Sequence, residues 1–274
     1  MRCRKLSLLV MLLFSGYASA QTTPAATYFF NNSLVAEQVG VPALTATDPL
    51  SANAFVTQSV FGQSRTVYAF NGSALPVTSQ AGLTFDNSGT TVTPTNYTAE
   101  LVFQFSQNAN AWRRILDVQN RTSDSGFYVD PSNNLDIFPV AGSSGLFTNN
   151  AYHHVVLTVT AGTTAKAYLD GVLQFTSNTN LMNINNGNNP GNLINLFLDN
   201  TSGGGQGEYS SGDIALFRLY DAVLSDSEIA TLAANPFAAV PEPSTIVLGT
   251  AACIGMAGYI RLHRKKRRRL KKKV

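Results

Sequence analysis

The chain has 274 residues, enough for one or two domains, and its formal net charge of +3 is unevenly distributed. Residues 21–240 hold fifteen acidic and six basic side chains, a net charge of 6 − 15 = −9, and thirteen of the nineteen Lys and Arg lie outside them. This acidic body excludes nucleic acid as a partner, and because Cys3 and Cys253 lie in the terminal segments, a disulfide or cysteine zinc site within the body is excluded too.

Residues 1–20 have the three parts of a secretory signal peptide. A basic region over residues 2–5 is followed by an apolar run over residues 6–14, and Ala18-Ser19-Ala20 supplies the small residues that signal peptidase recognises. The apolar run is too short to span a bilayer as a membrane anchor. We therefore predict export, with cleavage between Ala20 and Gln21.

Residues 21–236 are predicted to form an all-β domain. Short runs of β-branched and aromatic residues recur, separated by Asn, Gly, Ser and Pro, without helical periods between them. Asp170-Gly171 indicates a type I′ hairpin turn, because both central residues of that turn need positive φ. The polar, Asn-rich segment Ser177–Asn192 is predicted to be a loop. The strand candidates are Thr66–Phe70, Leu83–Phe85, Tyr97–Phe105, Arg114–Val118, His153–Thr160, Lys166–Leu169, Val172–Phe175, Leu193–Leu198 and Ile214–Tyr220.

One helix is predicted near the end of this domain. Ser225 and Glu228 form a capping box, and the apolar Ile229 and Leu232 follow at helical spacing. Asn235-Pro236 ends the helix, because proline cannot continue it. Residues 237–240 are then a short linker to the C-terminal segment.

Three segments of the body occur in an order and at spacings that are typical of one family. They are Ala151–Thr158, Ala167–Leu173, and Gly212–Ser225 followed by Glu228-Ile229. With Tyr152 in place of the usual Trp, this series, over about residues 81–232, resembles the laminin-G-like branch of the concanavalin A-like lectin/glucanase superfamily. The resemblance implies an antiparallel two-sheet jelly-roll sandwich.

The body offers little for catalysis. The glucanases of this superfamily carry paired carboxylates on one strand, and retention of configuration needs them about 5–5.5 Å apart. Of the four Glu in the body, only Glu228 has an acid at suitable spacing, and that acid, Asp226, lies in the predicted helix turn. His153 and His154 are adjacent on a strand, so they point to opposite faces and cannot chelate one ion together. We predict a non-enzymatic domain, with a glycan-cleaving enzyme as the alternative.

Calcium is the cofactor that the resemblance implies, since relatives often hold Ca²⁺ at the sandwich rim with Asp, Asn and backbone oxygens. Asp86-Asn87 ends one predicted strand, Asp199-Asn200 ends another, and Asp213 opens the last. Hard oxygen ligands from loops suit a six- to eight-coordinate Ca²⁺. We predict Asp86, Asn87, Asp199 and Asp213 as ligands, with simple Asx-turns as the alternative.

Residues 237–274 also have three parts. Pro241-Glu242-Pro243 is followed by an uncharged run over residues 244–260 and a basic tail over residues 261–274. The run would make about 25 Å of helix, marginal for a ~30 Å hydrocarbon core, and the basic tail would stay cytoplasmic. This series resembles the PEP-CTERM sorting signal of Gram-negative bacteria, which implies transient inner-membrane anchoring and processing by an exosortase. Because the basic tail is longer than usual, a permanent single-pass anchor is the alternative.

The sequence therefore predicts an exported protein that displays a laminin-G-like recognition module at the cell surface or in extracellular polymer. The resemblance implies a glycan or another matrix component as its ligand. A purely structural matrix protein, which neither binds nor cleaves, is a further alternative. Trp112, the only tryptophan, precedes Arg113 and Arg114; such a group can stack on a sugar but more often fills a core, and no site is assigned to it.

Overall fold

A computed structural model describes residues 22–184 and 192–238. The predicted signal peptide, the sorting motif, the apolar run and the basic tail lie outside the described residues. Within those two ranges, no helix has the length and apolarity that crossing a membrane would require. The elements that follow belong to one unit, Thr22–Val240.

The described residues form fifteen strands and one α-helix. Two short 3-10 turns, Val77–Ser79 and Asn87–Gly89, flank the fifth strand. In chain order the elements are β1 (Ala26–Tyr28), β2 (Thr45–Thr47), β3 (Ala54–Val60), β4 (Gln63–Phe70), β5 (Gly82–Asp86), β6 (Tyr97–Phe105), β7 (Arg113–Asp117), β8 (Gly126–Val129), β9 (Asn134–Phe138), β10 (Ala141–Leu146), β11 (His153–Thr160), β12 (Thr164–Leu169), β13 (Val172–Asn178), β14 (Leu193–Leu196), β15 (Gly212–Tyr220) and α1 (Asp226–Ala234).

The strands build two antiparallel sheets that pack face to face. The first sheet has the order β13-β12-β11-β6-β15-β4-β3, with β1 paired to β15 as well. The second sheet has the order β10-β9-β8-β7-β14-β5-β2. Hairpins of consecutive strands, such as β11-β12-β13, alternate with strands that are far apart in sequence, as in β11 beside β6 and β14 beside β7. The predicted all-β jelly-roll sandwich is confirmed.

The core lies between the sheets because alternate side chains of each strand point inward. On β6, Leu101, Phe103 and Phe105 are fully buried there. Phe70 and Phe197 stack in the same core with ring centroids 4.1 Å apart. Each such side chain contributes about 1.5–3 kcal/mol when it leaves water, so a core of this size needs no disulfide.

Part of the outer face of the first sheet is covered by α1. Tyr168 and Tyr220 of that face pack against Ile229 and Leu232 of the helix. The predicted capping box is confirmed. The Ser225 hydroxyl accepts a hydrogen bond from the Glu228 N–H, and a Glu228 carboxylate oxygen accepts one from the Ser225 N–H at 2.9 Å. No helix of the described residues covers the outer face of the second sheet.

Both ends of the unit attach to the first sheet. The Thr22 hydroxyl donates to Glu228 Oε1 of α1 at 2.6 Å, and β1 pairs with β15. After the helix, Arg218 of β15 donates to the carbonyl oxygens of Pro236 and Ala238 at 2.9 and 3.2 Å. Phe237 lies under the Arg65 guanidinium, 3.5 Å from it. The chain therefore enters and leaves the unit on the same face.

All nine predicted strands are present, and β6 and β11 have the predicted bounds. Asp170 and Gly171 have φ values of 50° and 81°, as the predicted turn requires. The predicted loop begins later than Ser177, because β13 extends through Asn178. The sequence did not predict β1, β2, β3, β8, β9 or β10, of which β1 and β2 have three residues each.

A candidate ligand-binding face on the second sheet

A row of outward-pointing side chains crosses the second sheet. The register pairs Arg114 with Tyr128 and Tyr128 with Asp136, while Asp117 lies opposite Asn195 on the next strand. The residues directly before and after Tyr128 in the chain belong to the core. Because successive side chains of a strand point to opposite faces, Tyr128 and the rest of the row point away from the core. This outer face therefore carries polar and aromatic groups, of which Arg114, Asp117 and Tyr128 are buried and Asp136 is partly exposed.

Arg114 is the centre of this row and is fully buried beneath the loops that follow β7 and β14. Its Nε donates to Asp199 Oδ1 at 3.1 Å, its Nη1 to Asp117 Oδ1 at 3.2 Å and its Nη2 to Asn200 Oδ1 at 3.0 Å. The guanidinium also lies over the Tyr128 ring, 4.5 Å from the centroid. A buried charge is tolerated only when it is fully paired, so Arg114 holds the loops to the sheet rather than facing a ligand.

Trp112 lies partly exposed beside this network, directly before β7. Its ring meets Tyr128 and Phe138 edge-on, with centroid distances of 5.6 and 5.3 Å. Phe138, the last residue of β9, is also partly exposed. Rings held in this way form a rigid apolar surface that suits the flat face of a sugar ring. We call the partly exposed Trp112, Phe138 and Asp136, together with the buried Tyr128 ring that supports them, the aromatic platform.

Asp136 supplies the polar group of the aromatic platform. Its side chain is partly exposed, and burial together with the nearby Asp130 carboxylate raises its pKa to about 6. A Cβ at Gly142, its partner on β10, would meet the end of the flexible Asp136 side chain. A partly exposed carboxylate beside aromatic rings can accept hydrogen bonds from ligand hydroxyls.

Two further carboxyl groups, Asp124 and Glu208, meet in the loops above Arg114. Burial, followed by the charges of Asp124 and Asp199, raises the pKa of Glu208 to about 8. An interaction with the nearby Asp124 carboxyl also favours the protonated form of Glu208. Both residues lie in loops and not on one strand, which differs from the paired carboxylates on one strand of the superfamily's glucanases.

A separate buried network lies on the outer face of the first sheet, under α1 and the residues that follow it. Glu100 accepts from Tyr220 at 2.6 Å and is 3.3 Å from Arg218, while His154 Nε2 is 3.0 Å from the same carboxylate. The carboxyl pKa of Glu100 is lowered because hydrogen bonding and charge from His154 and Arg218 outweigh its burial. All four side chains are buried, so this network joins strands and does not contact a ligand.

His153 points to the opposite side of its strand from His154, as the sequence predicts. Its Nδ1 is 2.8 Å from Asp170 Oδ2, and its Nε2 accepts the Thr148 N–H at 3.0 Å. Because Nε2 is an acceptor, Nδ1 carries the proton and donates it to Asp170. Both ring nitrogens are therefore engaged within the protein.

The structure separates the four predicted calcium ligands. Asp86 pairs with Leu193 at the start of β14 and Asn87 directly follows it, whereas Asp199 comes after the other end of β14 and Asp213 lies on β15 of the first sheet. Each makes hydrogen bonds of its own, such as the 2.6 Å bond that Asp213 accepts from Gln104. The described part of the chain contains no group of three or more His, Cys, Asp or Glu that could hold a metal ion. Calcium binding stays a prediction.

Sequence reasoning missed most of the aromatic platform. It assigned no site to Trp112 and did not single out Phe138 or Asp136. The alternation of Leu135 and Ile137 with polar or aromatic neighbours is a strand signal that could have located β9. The approach of Trp112 to Phe138 depends on the order β7-β8-β9, which no local pattern indicates.

Comparisons with known proteins agree with this architecture. The family model Laminin_G_3, described as the concanavalin A-like lectin/glucanases superfamily, matches residues 77–230. A search of the curated proteins found no match.

Two solved structures show the same fold. Domain 4 of AbnA, a GH43 extracellular arabinanase from Geobacillus stearothermophilus, in complex with arabinotriose, is 18% identical with a TM-score of 0.56, and the match covers 78% of this chain and 99% of that one. The binding domain of botulinum neurotoxin DC in complex with SialylT is 13% identical with a TM-score of 0.52, and the match covers 78% of this chain and 51% of that one. At these identities the likeness concerns the fold alone.

Proposed function

Because the chain belongs to the concanavalin A-like lectin/glucanase superfamily through its laminin-G-like domain, we propose that its body is a non-enzymatic module that binds glycan. The observation that carries this proposal is the aromatic platform, in which Trp112 and Phe138 lie partly exposed near Asp136 on the outer face of the second sheet. Exposed rings and a nearby hydrogen-bond acceptor suit a sugar ring. The complexes of similar domains with arabinotriose and SialylT support this ligand class.

The positions of the acidic residues favour binding over cleavage. Glu100 is fully buried in its own network, and Glu228 caps α1. Glu208 and Asp124 lie in loops and not on one strand, unlike the paired carboxylates of the superfamily's glucanases. Release of reducing ends from polysaccharide by the purified protein would instead support the alternative, a glycan-cleaving enzyme.

We also propose that the protein is exported and sorted to the cell surface or extracellular polymer of a Gram-negative bacterium. Signal peptidase would cleave after Ala20, and an exosortase would process the chain at Pro241-Glu242-Pro243. The sequence patterns of the two ends support this route. In that setting an extracellular polysaccharide is the ligand available to the module.

A glycan array with residues 21–240 tests the proposed function, because this segment contains the sandwich and its core. Replacement of Trp112 by Ala removes the largest ring of the aromatic platform. We expect the affinity for the best-bound glycan to fall by at least about tenfold, as for a hot-spot aromatic residue. Isothermal titration calorimetry measures the change.

The control is Phe61→Ala, which removes an exposed ring at the turn between β3 and β4. That variant should bind as the parent does. If no glycan binds at millimolar concentration, or if the Trp112 variant binds as well as the parent, the module has another role, and the purely structural alternative gains support.

A further inference from the structure

An open cleft of about 570 Å³ lies at one end of the sandwich. It is bounded by Pro139 and Val140 in the turn between β9 and β10, by Ser125 before β8, and by Asn178 and Asn180 at the end of β13 and just after it. Its volume is within the range of about 300–1,000 Å³ that is usual for small-ligand sites. The cleft is therefore large enough for a sugar unit.

The cleft and the aromatic platform are contiguous. Phe138 belongs to the platform, and the next residue, Pro139, lines the cleft. On the neighbouring strand, Gly126 pairs with Phe138, and the preceding residue, Ser125, lines the cleft. The two surfaces therefore meet where β9 ends and β8 begins, and a chain that lies on one can continue into the other.

The lining of the cleft is uncharged. Its side chains are amides, hydroxyls and apolar groups, among which Val140 is 49% exposed. The side chains of Asn178 and Asn180 are exposed and make no hydrogen bond with another described residue. Exposed amides and an apolar patch can hydrogen-bond the hydroxyls of a sugar and contact its C–H groups.

The charges around the platform disfavour an anionic ligand. Asp136 belongs to the platform, and the Asp130 carboxylate lies close enough to raise its pKa. Arg113 and Arg114 are buried; Arg113 donates to Asn133 at 2.6 Å, and Arg114 is bonded to its own carboxylates. An acidic sugar would meet negative charge here without an exposed cation to pair with it.

We propose that the aromatic platform and the cleft form one extended site for a neutral oligosaccharide, with one sugar unit stacked on Trp112 and a later unit in the cleft. This inference rests on the proposed function and adds to it a ligand length and a charge. A ligand confined to the platform would gain nothing from further units. A ligand that fills both surfaces gains affinity with each unit until the cleft is occupied.

The test is calorimetric titration of residues 21–240 with linear neutral oligosaccharides of arabinose, xylose and glucose that are one to six units long, and with oligogalacturonates of the same lengths. We expect affinity for one neutral series to rise by at least about tenfold from the shortest to the longest member, and oligogalacturonates to bind more weakly. The double variant Asn178→Ala/Asn180→Ala should lower the affinity for the longest chain by about tenfold, the effect of one or two lost hydrogen bonds, and leave the shortest unchanged.

The control for the double variant is Asn31→Ala, which removes an exposed amide after β1 and should change neither affinity. If sugars bind through Trp112 but affinity is independent of length, or if the double variant weakens short and long chains alike, the cleft is not part of the site and the proposed function still stands. Equal binding of oligogalacturonates would overturn the selectivity for neutral chains. If no saccharide binds, both the proposed function and this inference fail.

Discussion

At the scale of single residues, the buried charges of the second sheet are the most consequential. Arg114 and its partners Asp117 and Asp199 have no exposed side-chain surface. Asp199 also accepts hydrogen bonds from the backbone N–H groups of Gly207 and Glu208, each at 2.9 Å. One guanidinium therefore holds together two loops that lie far apart in sequence.

Replacement of Arg114 by Met removes the guanidinium that pairs directly with the buried Asp117 and Asp199. Breaking a buried pair in this way costs about 3–5 kcal/mol, and we expect that loss in the free energy of unfolding, measured by urea denaturation. Lys166→Met is the matched control, because it removes an exposed pair with Asp226 that contributes about 0–1 kcal/mol. Equal losses in the two variants would contradict the role given to Arg114.

Glu208 makes stability depend on pH. Because its pKa is raised from 4.5 to about 8, the folded protein holds this proton more tightly than the unfolded chain. The resulting contribution to stability is fully present below pH 4.5 and is lost as the pH rises through about 8. We expect the melting temperature to fall between pH 6 and pH 9, and Glu208→Gln to reduce that fall.

Glu37→Gln, which changes an exposed loop carboxylate, should show the same fall as the parent. A parent protein whose melting temperature does not change over this interval would contradict the raised pKa of Glu208. The experiment needs no ligand, so its result is independent of the proposed function.

At the scale of elements, sequence reasoning located every described strand of eight or nine residues and even the four-residue β14, but it missed the seven-residue β3. In β6 and β11, eight or nine consecutive residues of high β-propensity carry a periodic signal of their own. The four residues of β8, which begins with Gly126, are too few to carry a clear periodic signal. The alternation in β9 is directly followed by Pro139, a residue that argues against a central strand. The aromatic platform stands on β8 and β9 and on the residue before β7, so the same short elements concealed most of it.

The helix illustrates the opposite case, in which a local signal is sufficient. The capping box at Ser225 satisfies backbone groups within one turn, so its pattern is complete in the sequence. We expect Ser225→Ala to lower the free energy of unfolding by about 1 kcal/mol, the usual cost of losing a cap. Thr231→Ala, an exposed change inside the same helix, should alter it by less than about 0.5 kcal/mol. Chemical denaturation of both variants checks this; similar values would show that the cap is not what stabilises α1.

At the scale of the whole molecule, the division of charge separates the body from its ends. Residues 21–240 carry −9, while the two ends hold thirteen of the nineteen cationic side chains. The fold of the body followed from its sequence, because family motifs and strand patterns lie within it. The fate of the ends depends on processing enzymes, and only the sorting pattern bears on it.

Intact-mass analysis of the native protein tests the proposed processing. We expect a mature chain that lacks residues 1–20 and most of the residues after Pro243, and that behaves as an acidic protein, because its basic ends have been removed. The recombinant full-length chain is the reference mass. A surface pool that retains residues 261–274 would contradict exosortase processing and support the permanent anchor.

The shared attachment of both ends to the first sheet has a further consequence. Thr22 contacts α1, and Arg218 holds the chain at Pro236 and Ala238, so the entry and exit points lie together on the side opposite the aromatic platform. A domain with neighbouring termini tolerates circular permutation and insertion into a loop of another protein. The body could therefore be inserted into a surface loop of another protein, and the aromatic platform would stay uncovered.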